Sequence, residues 1–314
     1  MTEAQKVWVL HLGVLAALFA LQYLLPQYHT TNMARIMVLA IYAMGYNIAF
    51  GYTGLLSLGH ALFFAVGMYG MGLPIWQLEW MPVPALILGF LAGGVAAGAI
   101  GVLALRTAGV SFMIVTMMFA QAGYLTLLYL NTWTGGDEGF VVERAYRMIG
   151  GVDLASDQVR YLAAFVLFSC FMLGNLILAR SSMGRVMVAM RENEERSRML
   201  GYDPFRVKLF ALMLSGLYAG AAGAAYGMLF GYVGATFATI QYSILPMLYV
   251  LIGGAGTVLG PLLGAATMFY LIDTASSLTD AWLVVVGIAL IGSILFAPKG
   301  ILGTLRERVI RWLP

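Results

Sequence analysis

Residues 179–208 read ARSSMGRVMVAMRENEERSRMLGYDPFRVK, a charged run in a chain that is otherwise mostly apolar. Its bases Arg180, Arg185, Arg191, Arg196, Arg198, Arg206 and Lys208 outnumber its acids Glu192, Glu194, Glu195 and Asp203. Long apolar segments lie on both sides, so the run joins two membrane spans, and its basic excess places it in the cytoplasm. Residues 186–200 hold few helix breakers, and Gly201 followed by Asp203-Pro204 is a helix stop. The expectation is one short cytosolic helix, held between two spans and suited to receiving force from a soluble partner. The plainer reading is a solvated loop of the positive-inside kind.

Composition points the same way. Of 314 residues, 61% are hydrophobic and 10% charged, with a mean hydropathy of +0.89. A soluble domain carries about 25% charged residues. Such a chain cannot cover a water-facing surface, so the fold class is all-α, a polytopic membrane helix bundle. The net charge of +3 is concentrated in the predicted cytosolic segments and reports orientation, not a nucleic-acid partner. Cys170 is the sole cysteine and falls inside an apolar span, where its thiol is inert packing. Lys6 precedes an apolar run, 7–25, too long for the core of a signal peptide, so that run is read as a retained first span.

A span needs about 20 apolar residues. By that measure ten segments qualify: 7–25, 33–50, 54–73, 83–105, 110–130, 160–179, 208–232, 243–257, 259–275 and 281–297. Glycine-rich joints separate the second from the third and the eighth from the ninth, and both joints suit broken or re-entrant helices. Loop charges orient the chain. Lys6, Arg106, the 180–207 loop and the tail with Lys299, Arg306, Arg308 and Arg311 lie inside. Glu79 and the acidic 131–159 loop (Asp137, Glu138, Glu143, Asp153 and Asp157 against Arg144 and Arg147) lie outside. Both termini are then cytoplasmic. Arg35 is the misfit, near the outer end of the second span, where it snorkels to the headgroups. Spans two to five and seven to ten form two groups running in opposite directions, a 4+4 inverted repeat. Gly51-x-x-Gly54 and Gly253-x-x-Gly256 look alike, but they sit at non-equivalent junctions of that scheme. Glycines four apart, such as Gly89/Gly93 and Gly216/Gly220, bring helix backbones close in lipid; a glycine-lined path is the functional alternative.

Absences narrow the function. No G-x-x-x-x-G-K-[ST] loop for ATP occurs, and His11, His29 and His60 lack metal-ligand spacing. No G-x-S-x-G elbow surrounds Ser57, so an intramembrane hydrolase is a poor fit. The spans hold almost no acids, Asp273 being the main exception, which argues against a proton-driven carrier. The energy source is therefore expected in another polypeptide.

Three stretches combine. The first runs from Asn47 through Gly51, Thr53, Gly54, Ser57, Gly59 and His60 to Phe64, reading G-Y-T-G-L-L-S-L-G-H-A in its centre. The second is Thr134-Gly135-Gly136-Asp137-Glu138-Gly139. The third is Gly184-Arg185, then Arg191-Glu192-Asn193-Glu194, then Gly201. Together they resemble the permease subunits of branched-chain amino acid ABC importers, of the LivM type, over about residues 33–300. Asp137-Glu138 departs from the Ser-Asp pair common after T-G-G in that family.

The resemblance implies a single permease domain over 1–314, with no catalysis and no cofactor of its own, ATP and magnesium belonging to partners. It implies a bacterial inner-membrane complex with a LivH-like second permease, two LivG/LivF-like ATPases and a periplasmic substrate-binding protein. Arg185, Arg191, Glu192, Asn193, Glu194, Arg198 and Gly201 would couple to the ATPases. Asn47, Gly51, Thr53, Gly54, Ser57, Gly59, His60, Gly253, Gly254 and Gly256 would lie near the translocation path. Thr134, Gly135 and Gly136 would mark the periplasmic loop. Importers of urea, amides or aromatic acids share the class, and a self-sufficient channel for a small neutral solute is the alternative outside it. The local readings are plainer: His60 bonds a neighbouring carbonyl, Thr53 and Ser57 bond back to their own helix, Gly135 and Gly136 form a turn.

Overall fold

The computed structural model describes residues 2–297 and 299–308; Arg311, read above as part of a basic tail, lies outside them. Helices dominate. The first five are α1 (Glu3–Leu24), α2 (Gln27–Asn47, prolonged by a π-helical turn over Ile48–Tyr52), α3 (His60–Leu78), α4 (Pro82–Ala104) and α5 (Val110–Tyr129). A loop region follows with a helical turn α6 (Asn131–Thr134), strand β1 (Phe140–Val141), a 3-10 turn over Arg144–Arg147, and the β2 (Met148–Ile149) and β3 (Val152–Asp153) hairpin. Then come α7 (Asp157–Arg180), α8 (Ser182–Glu192), α9 (Glu194–Met199) and α10 (Pro204–Phe230). The chain closes with β4 (Tyr232–Val233), a 3-10 turn over Ala235–Ala238, α11 (Ile240–Gly253), α12 (Gly260–Leu278), α13 (Trp282–Phe296) and α14 (Gly300–Arg308).

Each of the ten expected spans has its helix. Among the described residues, seven of them (α1 to α5, α7 and α10) are long and apolar enough to cross a membrane. Helix α11 has 14 residues. At 1.5 Å per residue that is about 21 Å, short of the roughly 30 Å hydrocarbon core. Two helix starts lie six residues from those expected. Helix α2 begins at Gln27, not residue 33, because its polar first turns find partners: Tyr28 Oη donates to Asp273 at 2.6 Å, and Thr30 Oγ1 donates to Pro26 O at 3.2 Å. Helix α3 begins at His60, not residue 54, because the left-handed Gly54 (φ +73°) turns the chain out of the helix.

Helices α2 and α10 form the centre, both buried over most of their length. Their neighbours are arranged by exchange. Helix α3 packs on α4 as α11 packs on α12; α10 packs on α3 and α4 as α2 packs on α11 and α12; α5 follows α4 as α13 follows α12. The packing of α2–α5 is thus repeated in α10–α13, as an inverted repeat with α7 as the odd helix would have it. Each half lends its first helix to the other. The sequence marks the relation at the equivalent junctions: Gly51-Tyr-Thr-Gly54 ends α2 and Gly231-Tyr-Val-Gly234 ends α10.

The four-spaced glycines are the packing seams. A Cβ on Gly93 would sit 2.6 Å from the Gly220 Cα, and one on Gly220 would sit 2.8 Å from the Gly93 Cα. Helices α4 and α10 therefore touch backbone to backbone, which dispersion rewards in a lipid setting.

Candidate functional site

Two irregular joints interrupt the bundle, residues 53–59 between α2 and α3, and 254–259 between α11 and α12. About 200 residues apart in sequence, they meet in space. Asn47, fully buried at the last turn of α2, donates through Nδ2 to Thr257 O at 3.0 Å and accepts from Gly256 N–H at 2.8 Å. One amide side chain thus satisfies a donor and an acceptor that the broken helix leaves unpaired. Gly51 lies against this knot: any Cβ there would collide with Asn47 Oδ1 and stand 2.6 Å from Gly256 N.

The charged segment closes over the knot. Ser181 caps α8, its Oγ accepting from Gly184 N–H at 3.1 Å, and Gly184, Met187 and Met190 are the buried face of that helix. On the last turn, Arg191 donates to Gly51 O, and its stem lies beside Gly54, 3.1 Å from where a Cβ would stand. Its guanidinium also lies 3.3 Å from a Cβ position on Gly256, so one exposed helix touches both joints. A single helix over 186–200 is not what forms. Asn193 is extended and its Oδ1 accepts from Arg196 N–H at 2.9 Å, which ends α8 and starts α9. Glu194 pairs with Lys208 at 2.5 Å and Arg198 at 3.8 Å, tying α9 to α10. Gly201 is left-handed (φ +90°) with open space where a Cβ would go, so it serves the turn and not a close contact. Arg185 and Glu192 are exposed. Two grooves flank Arg191. One of about 610 Å³ is lined by Gly54, Thr107, Phe112, Arg198, Tyr202 and Lys208; another of about 690 Å³ is lined by Arg191, Leu251, Thr257, Lys299 and Arg306.

The opposite end of the bundle, across α7, repeats the device. Strand β1 pairs with β4 beyond the end of α10, and Arg147 donates to Met228 O at 2.8 Å and to Leu229 O. Arg160 donates to Leu229 O at 3.0 Å. An arginine from an extramembrane segment thus holds the last carbonyls of α10, as Arg191 holds those of α2. Burial and the neighbouring Arg160 charge push the Arg147 guanidinium below its ordinary range, yet the helix-end carbonyls favour the charged form.

Residues 30–294 match the family described as branched-chain amino acid transport system / permease component. The chain belongs to that family. Over 98% of its length it is 28% identical to the high-affinity branched-chain amino acid transport system permease protein LivM of Salmonella typhimurium, and 29% identical to that of Escherichia coli, covering 77% of each. It is also 24% identical to the LivH permease protein of Salmonella typhimurium, over 84% of this chain and 91% of that one. No solved structure matches. The permease is a multi-pass membrane protein, and its helical bundle is the one that its apolar runs foretell.

The sequence-derived residues separate into groups. Asn47, Gly51, Gly54, Gly256 and Arg191 converge. His60 lies elsewhere: fully buried, it shares a 2.7 Å hydrogen bond between Nε2 and Ser215 Oγ of α10, not a backbone carbonyl, and its Nδ1 has no partner among the described residues. Thr53 bonds back to Ala49 O at 2.6 Å, whereas Ser57 accepts from Gly59 N–H at 3.1 Å within the joint. Gly59 presses on Thr116 of α5. Gly253 packs against the start of α12, and Gly254 (φ +119°) against α14. Thr134, Gly135 and Gly136 form the expected turn, with Thr134 Oγ1 donating to Leu127 O at 2.6 Å. Arg147, Ser215 and Thr257 were not singled out by sequence. The signal that could have found Arg147 is the recurrence of Gly51-Tyr-Thr-Gly54 as Gly231-Tyr-Val-Gly234 at the end of α10.

Proposed function

We propose that this permease is the membrane-crossing subunit of an ATP-driven importer that carries branched-chain or other hydrophobic amino acids inward. Separate ATPase subunits, holding ATP and magnesium, supply the energy. A second permease of the LivH kind completes the passage, and a soluble receptor outside the membrane delivers the cargo. In this reading α8 and α9 face the cytoplasm with both termini, and the 131–159 loop faces the periplasm.

The observation that carries the reading is the bond from Arg191 to Gly51. An exposed charged helix is tied to the point where two broken segments meet, so a push on α8 is felt at Asn47 and at Gly256. The two flanking grooves offer room for an ATPase surface. The printed names of the relatives support the cargo class, and the basic excess of 180–207 supports the orientation. Uptake of labelled L-leucine, L-isoleucine and L-valine into proteoliposomes tests it. Uptake is expected to need ATP, the ATPases and the receptor together. Flux through this chain alone, without ATP, overturns the reading, and uptake of urea or an aromatic acid in preference to leucine overturns the cargo.

A further inference from the structure

Helix α5 carries a stripe that the bundle leaves uncovered. Phe112, Thr116 and Ala120 form its buried side. Another side presents Ile114, Met118, Gln121, Leu125 and Leu128. Ile114, Met118 and Leu125 are exposed, and Gln121 and Leu128 are half-buried. Their spacing alternates between four and three residues. That alternation is the period of a seam between two helices crossing at about 20°. At the centre of this apolar seam stands an amide. Gln121 is the twelfth of the 20 residues of α5, about 17 Å along a helix about 30 Å long, which puts it at mid-depth of the hydrocarbon. Its side chain makes no hydrogen bond among the described residues. Hydroxyls on spans close on their own backbones instead: Thr126 Oγ1 donates to Ala122 O at 2.8 Å, and Ser169 Oγ of α7 donates to Phe165 O at 2.7 Å. A glutamine amide offers two donors and an acceptor, and lipid tails answer none of them. The exposed face of α4 is the contrast. Leu88, Leu91, Val95 and Val102 are aliphatic, as a lipid-facing surface requires.

We propose that this stripe of α5 is the seam against which a span of the second permease packs, with a polar side chain of that span meeting Gln121 at mid-depth. The inference rests on the two-permease importer read above. A passage shared by two permeases needs a contact inside the membrane, and this stripe is one that lipid cannot satisfy. Helices in lipid associate through close packing and polar pairs, and a single amide in an apolar seam fixes the register of its partner.

The complete transporter is placed in nanodiscs with the photoreactive residue benzoylphenylalanine replacing Met118 or Leu125 of this chain. Leu91 and Val95 of α4 serve as reference positions. After irradiation the adducts are identified by mass spectrometry. Positions 118 and 125 are expected to capture a span of the second permease, and positions 91 and 95 lipid. Gln121→Leu is expected to lower that capture about tenfold, the scale of one polar contact between spans, while this chain stays folded because leucine suits lipid better than an amide does. Gln121→Asn keeps part of the capture. Should Gln121→Leu fail to fold, the comparison of α5 with α4 positions in the Gln121 protein decides alone. Adducts with lipid alone at 118 and 125, adducts with a second copy of this chain, or capture unchanged by Gln121→Leu overturns the seam. Leucine uptake is measured on the same transporter before irradiation. Uptake with lipid-only adducts at 118 and 125 refutes the seam and leaves the importer reading standing. Flux through this chain with no second permease present refutes the importer reading and the seam with it.

Discussion

Asn47→Ala tests the knot between the two joints. The substitution deletes the bonds to Thr257 O and Gly256 N–H and shortens the side chain, so no other group of residue 47 replaces them. Thr257 is buried, and its carbonyl bears the full penalty of an unmade bond; Gly256 is half-buried and recovers part of its loss from water. Taking about 1–3 kcal/mol for the first and less for the second gives a total of about 3 kcal/mol. At 1.4 kcal/mol per decade, local opening at the joint rises about 100-fold. Hydrogen exchange on the assembled transporter reads this directly: the Gly256 amide is expected to exchange about 100-fold faster while amides in α4 are unmoved. Leucine uptake is expected to fall with ATP hydrolysis retained, because the two joints are then no longer tied to each other through residue 47. A second-site check follows from the geometry. In the Asn47 protein a Cβ on Gly51 strikes Oδ1; with Asn47→Ala that clash is gone and only the 2.6 Å approach to Gly256 N remains. Gly51→Ala is therefore expected to cost less in the Asn47→Ala background than alone. A Gly256 amide that stays protected in Asn47→Ala, together with normal uptake, refutes the reasoning.

Gly201→Asp is expected to leave the complex assembled, since nothing stands within 4 Å of the new Cβ, while the strained left-handed turn shifts α9 and separates ATP hydrolysis from uptake; parallel ATPase and uptake assays check it. Arg147→Ala frees Met228 O and leaves Leu229 O to Arg160 alone, and faster exchange is expected at the amides of Tyr232 and Val233 in the strand that pairs with β1. Gly220→Leu forces α4 and α10 apart and is expected to abolish a folded, monodisperse complex on size exclusion. The β2–β3 hairpin is expected to loosen in acid. The hydrogen bond from Arg144 holds the Asp153 carboxyl below its usual range, so its contribution is complete above the ordinary aspartate pKa of about 3.9 and is lost as pH falls through the lower folded value. Limited proteolysis of the loop below pH 4 checks the sign, and Asp153→Asn is expected to remove that pH dependence.

The apolar runs, the basic loop and the four-spaced glycines were enough to read a helical membrane bundle, because each is a local signal with a known period or charge rule. The Gly51 and Gly253 joints were legible as breaks for the same reason. Their meeting was not, since the bond from Asn47 to Thr257 spans 210 residues and no local pattern encodes it. The split of α8 from α9 was missed because a cap by Asn193 outweighs good helix propensity on both sides. Resemblance drew attention to His60 and Arg191 alike, and geometry separates them: one lies inside the bundle against Ser215, the other spans its surface and its interior.

The exchange of first helices between the halves has a consequence for biosynthesis. Tyr42 of α2 bonds the carbonyl of Tyr242, and no earlier segment supplies that acceptor. During translation α2 must therefore wait in the bilayer while some 200 further residues emerge, with its future neighbours α11 and α12 still unmade. Lipid or a chaperone must shelter it meanwhile. Helix α2 meets α7 and α10 first, and its burial is complete only when the last quarter of the chain brings α11 and α12.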